Sequence, residues 1–128
     1  MSREFTQKMF LFAAIFNGLI GLGLLFIPGP FLDLIFITPA LENPTWANLF
    51  GWLVTLFGVA YYWISRDPES NRQLILLGII GKLGVAAIAL ANVLAGNISW
   101  QIMIPAGADA LWAALFLRAL GSLGDKGR

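Results

Sequence analysis

The sequence predicts an all-α, polytopic membrane protein, and three observations predict that class. Of the 128 residues, 59% are hydrophobic and only 12% are charged, whereas a soluble domain has about 25% charged residues. The mean hydropathy is +0.80. Uncharged stretches long enough to cross a bilayer recur along the chain. We therefore expect one membrane domain over residues 1–128, an antiparallel bundle of four transmembrane helices.

The first span is expected at residues 9–27, which contain no charged residue and would form a helix of about 28 Å. A basic start followed by an apolar run also describes a signal peptide. Because this run is long and no Ala-x-Ala cleavage pattern follows it, we expect the segment to be retained.

Residues 28–44 are expected to connect the first span to the second. Four prolines interrupt this segment: Pro28, Pro30, Pro39 and Pro44. Proline breaks a helix because it lacks a backbone N–H. The part from Phe31 to Ile37 is nevertheless apolar. We expect an interfacial helix or a re-entrant piece covered by protein, which is the largest feature outside the spans that could bind anything.

The second span is expected at residues 45–64, where amphipathic aromatic residues mark both ends. Trp46 opens the segment. Three aromatic residues close it: Tyr61, Tyr62 and Trp63. Trp and Tyr are enriched where hydrocarbon meets lipid headgroups, so we expect these side chains at the two membrane interfaces.

The third and fourth spans are expected at residues 74–95 and 102–120, joined by a short turn at Gly96. Lys82 is the only charged residue of the third span, and Asp109 lies inside the fourth. Because the connection between the two helices is short, we expect them to be neighbours.

Basic residues predict the orientation of the chain. Seven fall on one side of the four-span topology and none on the other: Arg3, Lys8, Arg66, Arg72, Arg118, Lys126 and Arg128. Lys and Arg in short loops mark the cytoplasmic side. We therefore expect both termini in the cytoplasm and the chain in the cell inner membrane.

Missing residue types exclude several classes of function. The chain has no Cys and no His, so disulfides, iron–sulfur clusters and the usual haem and zinc ligands are absent. We expect no metal, no cofactor and no catalytic residue. The net charge is +1 and no basic cluster occurs, so a nucleic-acid partner is not expected either.

Lys82 and Asp109 are expected at the same depth. Lys82 lies ten residues after Arg72, and Asp109 lies nine residues before Arg118, which correspond to about 15 and 14 Å of helix. A charge within a span costs roughly 2.5–3.5 kcal/mol on insertion scales and usually finds a partner. We therefore expect an ion pair or a water-bridged pair between these two residues.

The other two helices are expected to contribute Asn17 and Thr55 to the same polar layer. One interpretation is a binding or conduction site for an ion, a proton or a ligand. The alternative is a structural clasp, in which the neutralised pair of Lys82 and Asp109 fixes helix register. A Schiff-base lysine with its counterion is a third and weaker interpretation.

Small residues at helical spacing predict where helices approach closely. The residues expected to do so are Gly18, Gly21, Gly78, Gly81, Gly84, Ala106 and Ala110. The third span continues the pattern with alanines at four-residue spacing. We expect packing between helices of the same chain, with a dimer face as the alternative.

Two stretches of the chain resemble a known group. They are residues 65–69 (Ser-Arg-Asp-Pro-Glu) continuing through Gly81 and Lys82, and residues 108–112 (Ala-Asp-Ala-Leu-Trp). With the four spans, they make the sequence similar to small bacterial inner-membrane proteins, including the DoxX-like group. The resemblance implies the architecture and assigns no catalytic or quinone-binding residue.

Three functions remain open. The first is a non-enzymatic membrane subunit or accessory protein that packs, in the lipid bilayer, against other membrane subunits or against itself. The second is a small oligomeric transporter or channel that works through the layer of Lys82 and Asp109. The third is an enzyme that binds a lipid or a quinone. The absence of paired acid and base groups favours the first.

Overall fold

The computed structural model describes residues 1–126 of the chain, with side chains as far as Leu123. It is 83% helical, and the described residues contain no strand. Four of the helices are long and apolar enough to span a membrane. These findings confirm the predicted all-α class with four candidate spans. Arg128 and the side chain of Lys126, which entered the orientation argument, lie outside the described residues.

The helices follow the order that the sequence predicts. They are α1 (Arg3–Phe26), α2 (Pro28–Asp33), α3 (Thr45–Arg66), α4 (Arg72–Leu94) and α5 (Met103–Lys126). A single 3₁₀ turn precedes each of the last two, at Glu69–Asn71 and Trp100–Ile102. The four long helices are α1, α3, α4 and α5, and each predicted span overlaps one of them.

Local signals explain where these helices begin and end. The hydroxyl of Ser2 accepts a hydrogen bond from the backbone N–H of Phe5 at 3.1 Å and so caps α1. Pro28 opens α2, where its missing N–H costs nothing. Gly96, with φ of 77°, follows the end of α4 in the left-handed conformation that favours glycine. Between α3 and α4, hydrogen bonds from Ser70 lower the pKa of Asp67 from its usual value.

Helices α1 and α3 form the most extensive contact, running antiparallel with their backbones touching at a glycine pair. A Cβ on Gly21 would overlap the hydroxyl of Thr55 and lie 2.8 Å from the carbonyl oxygen of Gly51. Further along the helices, Gly58 lies against Ala14. The glycines therefore allow an approach that any larger residue would prevent.

Helices α4 and α5 form a second antiparallel pair, and α3 touches α4. Arg72 at the start of α4 donates to the carbonyl oxygen of Leu123 on α5 at 3.3 Å. Near the same end, a core fills the space between the two pairs. Its buried residues are Met9, Phe10, Ala13, Tyr61, Ile64, Ile75, Ile79, Phe116, Ala119 and Leu123.

Some of the predicted packing residues lie elsewhere. Gly21 and Gly78 are buried in helix contacts, but a Cβ on Gly18 or Gly84 would meet nothing within 4 Å. These two glycines therefore do not serve close approach within the chain. The alanines at four-residue spacing in α4, at positions 87, 91 and 95, are exposed, because α4 contributes to the core only through its first half.

On α5 the two predicted small residues differ in burial. Ala106 is buried and Ala110 is half-buried. The fully buried alanines are Ala113 and Ala119, of which Ala119 belongs to the core together with Phe116. On the buried face of α5, small alanine side chains therefore lie on either side of the large ring of Phe116.

The aromatic pattern at the end of α3 differs from the prediction at one position. Tyr62 and Trp63 are exposed, as interfacial residues would be. Tyr61 is instead 1% exposed and lies in the core. Gly78 makes room for its ring, since a Cβ there would lie 2.9 Å from a ring carbon of Tyr61.

The segment between α1 and α3 folds back over the helices. The ring of Phe31 in α2 lies against Gly23, where a Cβ would overlap it. Ile37 is buried. Thr38 then forms two hydrogen bonds with Ser99 in the α4–α5 connection: its N–H donates to the Ser99 hydroxyl at 2.9 Å, and its carbonyl accepts from the Ser99 N–H at 2.7 Å. This segment therefore bridges both helix pairs.

Candidate functional site

An ion pair joins the middle of α4 to the second turn of α5. The ammonium of Lys82 on α4 donates to Oδ1 of Asp109 on α5 at 2.6 Å. The side chain of Lys82 is 4% exposed and that of Asp109 is 17% exposed. The matched positions counted from the sequence therefore correspond to a direct contact in the structure.

Asn17 of α1 joins the pair and ties it to the other helices. Its Oδ1 accepts a hydrogen bond from Lys82 Nζ at 3.0 Å, and its Nδ2 donates to the carbonyl oxygen of Val54 on α3 at 3.1 Å. All four long helices thus contribute a polar group to one connected network. We call Asn17, Lys82 and Asp109 the polar cluster.

Thr55 is not part of the polar cluster, although the sequence predicts it there. Its hydroxyl donates to the carbonyl oxygen of Gly51, four residues earlier in the same helix, at 2.8 Å. A threonine in a helix can satisfy its hydroxyl locally in this way. Thr55 therefore shapes the contact between α1 and α3 and makes no hydrogen bond to the polar cluster.

Two aromatic rings cover the ammonium of Lys82. Its Nζ lies 5.3 Å from the ring centroids of both Phe16 and Tyr61, within the range of a cation–π interaction. An ammonium has three donors, and Asp109 and Asn17 take two of them. The charge of Lys82 is therefore neutralised by Asp109 and shielded by the rings.

A cavity of about 490 Å³ lies between the helix pairs. Its wall runs from the polar cluster toward the segment 28–44. On α1 it extends from Asn17 to Leu24, and on α4 from Lys82 to Ala89. On the α5 side it extends toward the start of that helix and ends at Ile102, in the turn that precedes it. Apolar residues of the segment 28–44 cover the far end: Phe31, Leu32, Leu34, Ile35 and Ile37. The two halves of the molecule therefore differ, because one contains the packed core and the other contains the cavity.

The polar cluster and Tyr61 form the floor of this cavity. Almost all the remaining lining side chains are hydrocarbon or aromatic. Oδ2 of Asp109 accepts no hydrogen bond from residues 1–123. Tyr61 adds a hydroxyl group to the same lining. The floor thus presents one open acceptor and one hydroxyl.

The site has no arrangement for binding a metal. No three His, Cys, Asp or Glu side chains come together within the described part of the chain. Asp109 is the one acidic residue of the polar cluster, and Lys82 already binds it. The donor set suits hydrogen bonding to an organic group rather than coordination of a cation.

Three features of the structure are missing from the sequence prediction. Tyr61 joins the floor although its position beside Tyr62 and Trp63 suggested an interfacial residue. Gly51 forms the close contact with α1, and its spacing from Thr55 and Gly58 was a signal of a packed helix face. No sequence signal pointed to the cavity itself, which depends on how the helices pack.

Comparisons of this chain with protein-family models, curated proteins and solved structures find no match. The cavity and the polar cluster are therefore the features from which a function can be inferred.

Proposed function

We propose that this chain is a multi-pass membrane protein that holds one largely apolar molecule between its helices. The polar end of that molecule lies against the polar cluster, and its apolar part extends toward the segment 28–44. The proposed role is binding without catalysis. A protein of this kind would store, present or sense a membrane-soluble compound.

The cavity is the observation that carries this proposal. Its volume of about 490 Å³ falls within the range of roughly 300–1,000 Å³ for small-molecule sites. Such sites combine an apolar wall with a few polar groups that orient the ligand. Lys82, Asp109 and Asn17 supply those groups at one end only, so the cavity has a direction.

We also propose that the end of the molecule with the basic residues faces the cytoplasm, in the inner membrane. Arg3 binds Glu69 at 2.8 Å and Arg72 binds the end of α5, so the basic residues of different helices gather at one end. The connections at the other end contain Asp33 and Glu42 but no Lys or Arg. This distribution supports the cytoplasmic orientation.

Filling the cavity tests the binding proposal. Ala89 lines the cavity and Leu90, next to it, is 47% exposed. The protein is purified in mild detergent, and the small molecules bound to it are extracted and measured by mass spectrometry. Ala89→Trp should lose a molecule that the parent retains at about one per chain, while Leu90→Trp should keep it. Equal retention by both variants would contradict the proposal.

A second candidate function is that of a subunit or accessory protein, and the outward face of α4 favours it. Ala87 and Ala91 are exposed, and Gly84 has open space around it. Small residues on a lipid-facing surface allow a further helix to approach closely. Ala91→Trp should then abolish copurification of a partner helix or of a second copy, whereas Leu90→Trp, exposed on another face of α4, should not.

Transport and catalysis give different outcomes in the same preparations. A transporter or channel working through Lys82 and Asp109 would produce proton or ion flux in liposomes. A lipid or quinone enzyme would convert its bound molecule over repeated turnovers. The binding proposal expects neither flux nor turnover, with retention of the molecule unchanged over time.

A further inference from the structure

The polar cluster has a property that restricts what it can bind. Its one cation and one anion neutralise each other at 2.6 Å, and Asn17 is uncharged. A ligand with a charged head would therefore bring an unpaired charge into a largely apolar cavity, which is strongly unfavourable. The head of the bound molecule must be neutral.

The open polar atom of the cluster is an acceptor. Lys82 is 4% exposed, its charge faces Asp109, and two aromatic rings cover it. Asp109 is more exposed, lines the cavity and keeps Oδ2 without a partner among residues 1–123. A carboxylate oxygen only accepts hydrogen bonds. The head of the ligand must therefore donate one.

We propose that the ligand is an uncharged lipid alcohol, with its hydroxyl group bound to Oδ2 of Asp109 and its hydrocarbon chain in the cavity. This inference rests on the proposed binding function and names the class of molecule. A hydroxyl is both donor and acceptor, so its oxygen can also accept from the hydroxyl of Tyr61 on the same floor. Apart from Lys82 and Asp109, the residues that line the cavity carry no charge, which fits an unsubstituted hydrocarbon chain.

Three probes of equal chain length separate the head from the tail: hexadecanol, hexadecanoate and hexadecane. Each is added as a radiolabelled compound to the full chain in detergent, at a pH where the acid is ionised. We expect hexadecanol to bind about tenfold more tightly, or better, than hexadecane, because a hydrogen bond to a charged acceptor gives a ratio of that order. Hexadecanoate should bind more weakly than hexadecanol because its charge would face Asp109.

Two variants connect this preference to the cluster. The combined change Lys82→Met and Asp109→Leu removes both charges together, so the preference for hexadecanol over hexadecane should fall to the small part that Tyr61 contributes. Ala89→Trp should block hexadecanol in the cavity, while Leu90→Trp should not. Tyr61→Phe keeps the ring and should lower the preference for the alcohol without abolishing binding of hexadecane.

The outcomes distinguish the two proposals. Equal binding of all three probes, blocked by Ala89→Trp, would leave the binding function in place and overturn the assignment of a lipid alcohol. Preference for hexadecanoate would also overturn it, since Lys82 would then be the group that the ligand meets. Absence of binding for every probe, together with an unchanged content of copurified molecules in Ala89→Trp, would overturn both.

Discussion

At the scale of single residues, the molecule depends on how it satisfies a lysine that lies halfway along a helix. Lys82 has an anion, an amide oxygen and two aromatic rings around it. Removing one member of a buried pair is costlier than removing both, because the remaining charge has no partner. The contribution of the polar cluster to the free energy of unfolding can therefore be measured without any ligand.

Asp109→Leu alone should destabilise the protein strongly, by roughly 3–5 kcal/mol, because it leaves the ammonium of Lys82 unpaired. Lys82→Met alone should have a similar effect on the carboxylate. The combined variant should recover much of the lost stability. Thermal unfolding of the four proteins in one detergent measures the coupling. Losses that simply add in the combined variant would show that the two residues do not interact.

The close contact between α1 and α3 depends on the absence of a side chain at Gly21. Gly21→Ala places a Cβ against the backbone of Thr55 at 2.7 Å and Gly51 at 2.8 Å. We expect a loss of roughly 1–3 kcal/mol, the usual cost of overpacking. Gly18→Ala, three residues away, meets nothing within 4 Å and should leave thermal stability unchanged or slightly raised. If both variants unfold alike, the close contact at Gly21 is not present.

At the scale of helices, the sequence predicts the elements better than it predicts their faces. The length of the apolar stretches predicts the four long helices. Counting residues along adjacent helices places Lys82 and Asp109 at the same depth, and the cost of an unpaired charge in hydrocarbon predicts that they pair. Tyr61 could not be predicted, because an aromatic residue near a helix end fits both an interface and a core. Its inward direction depends on Gly78 across the contact.

The cavity is also a property of helix packing that a sequence pattern does not contain. Thr55 lies at the predicted depth, but its hydroxyl bonds to its own helix, which periodicity does not reveal. The volume beyond the cluster depends on how the pairs α1–α3 and α4–α5 separate toward the segment 28–44. The sequence predicts an interfacial helix or a re-entrant piece in that segment, but its position over the cavity depends on Gly23, which accommodates Phe31.

The segment 28–44 yields a prediction for its attachment. Ser99→Ala removes the hydroxyl that accepts from the N–H of Thr38 at 2.9 Å. The expected cost is about 0.5–1.5 kcal/mol, the net value of one hydrogen bond, felt mainly in the segment itself. Hydrogen exchange should accelerate at Thr38 and Ile37 and stay unchanged within α1. Ser99→Thr keeps the hydroxyl and should exchange like the parent. Unchanged exchange in Ser99→Ala would show that this bond does not hold the segment.

At the scale of the whole molecule, the two ends have different roles. The end with Arg3, Arg66 and Arg72 contains the packed core and the ion pair with Glu69. The other end contains the cavity and its cover. If the basic end faces the cytoplasm, a ligand reaches the cavity from the outer half of the bilayer or from the opposite side of the membrane. The orientation of the chain therefore determines where its ligand comes from.

Single cysteines test that orientation directly, because the chain has no native Cys. Ser70 and Glu42 are both exposed and lie in connections at opposite ends of the helices. In intact cells, a membrane-impermeant maleimide should label Glu42→Cys but not Ser70→Cys, since basic residues hold their loops in the cytoplasm. In inside-out vesicles the pattern should reverse, and detergent should expose both thiols. Labelling of Ser70→Cys in intact cells would invert the topology and place the entrance to the cavity toward the cytoplasm.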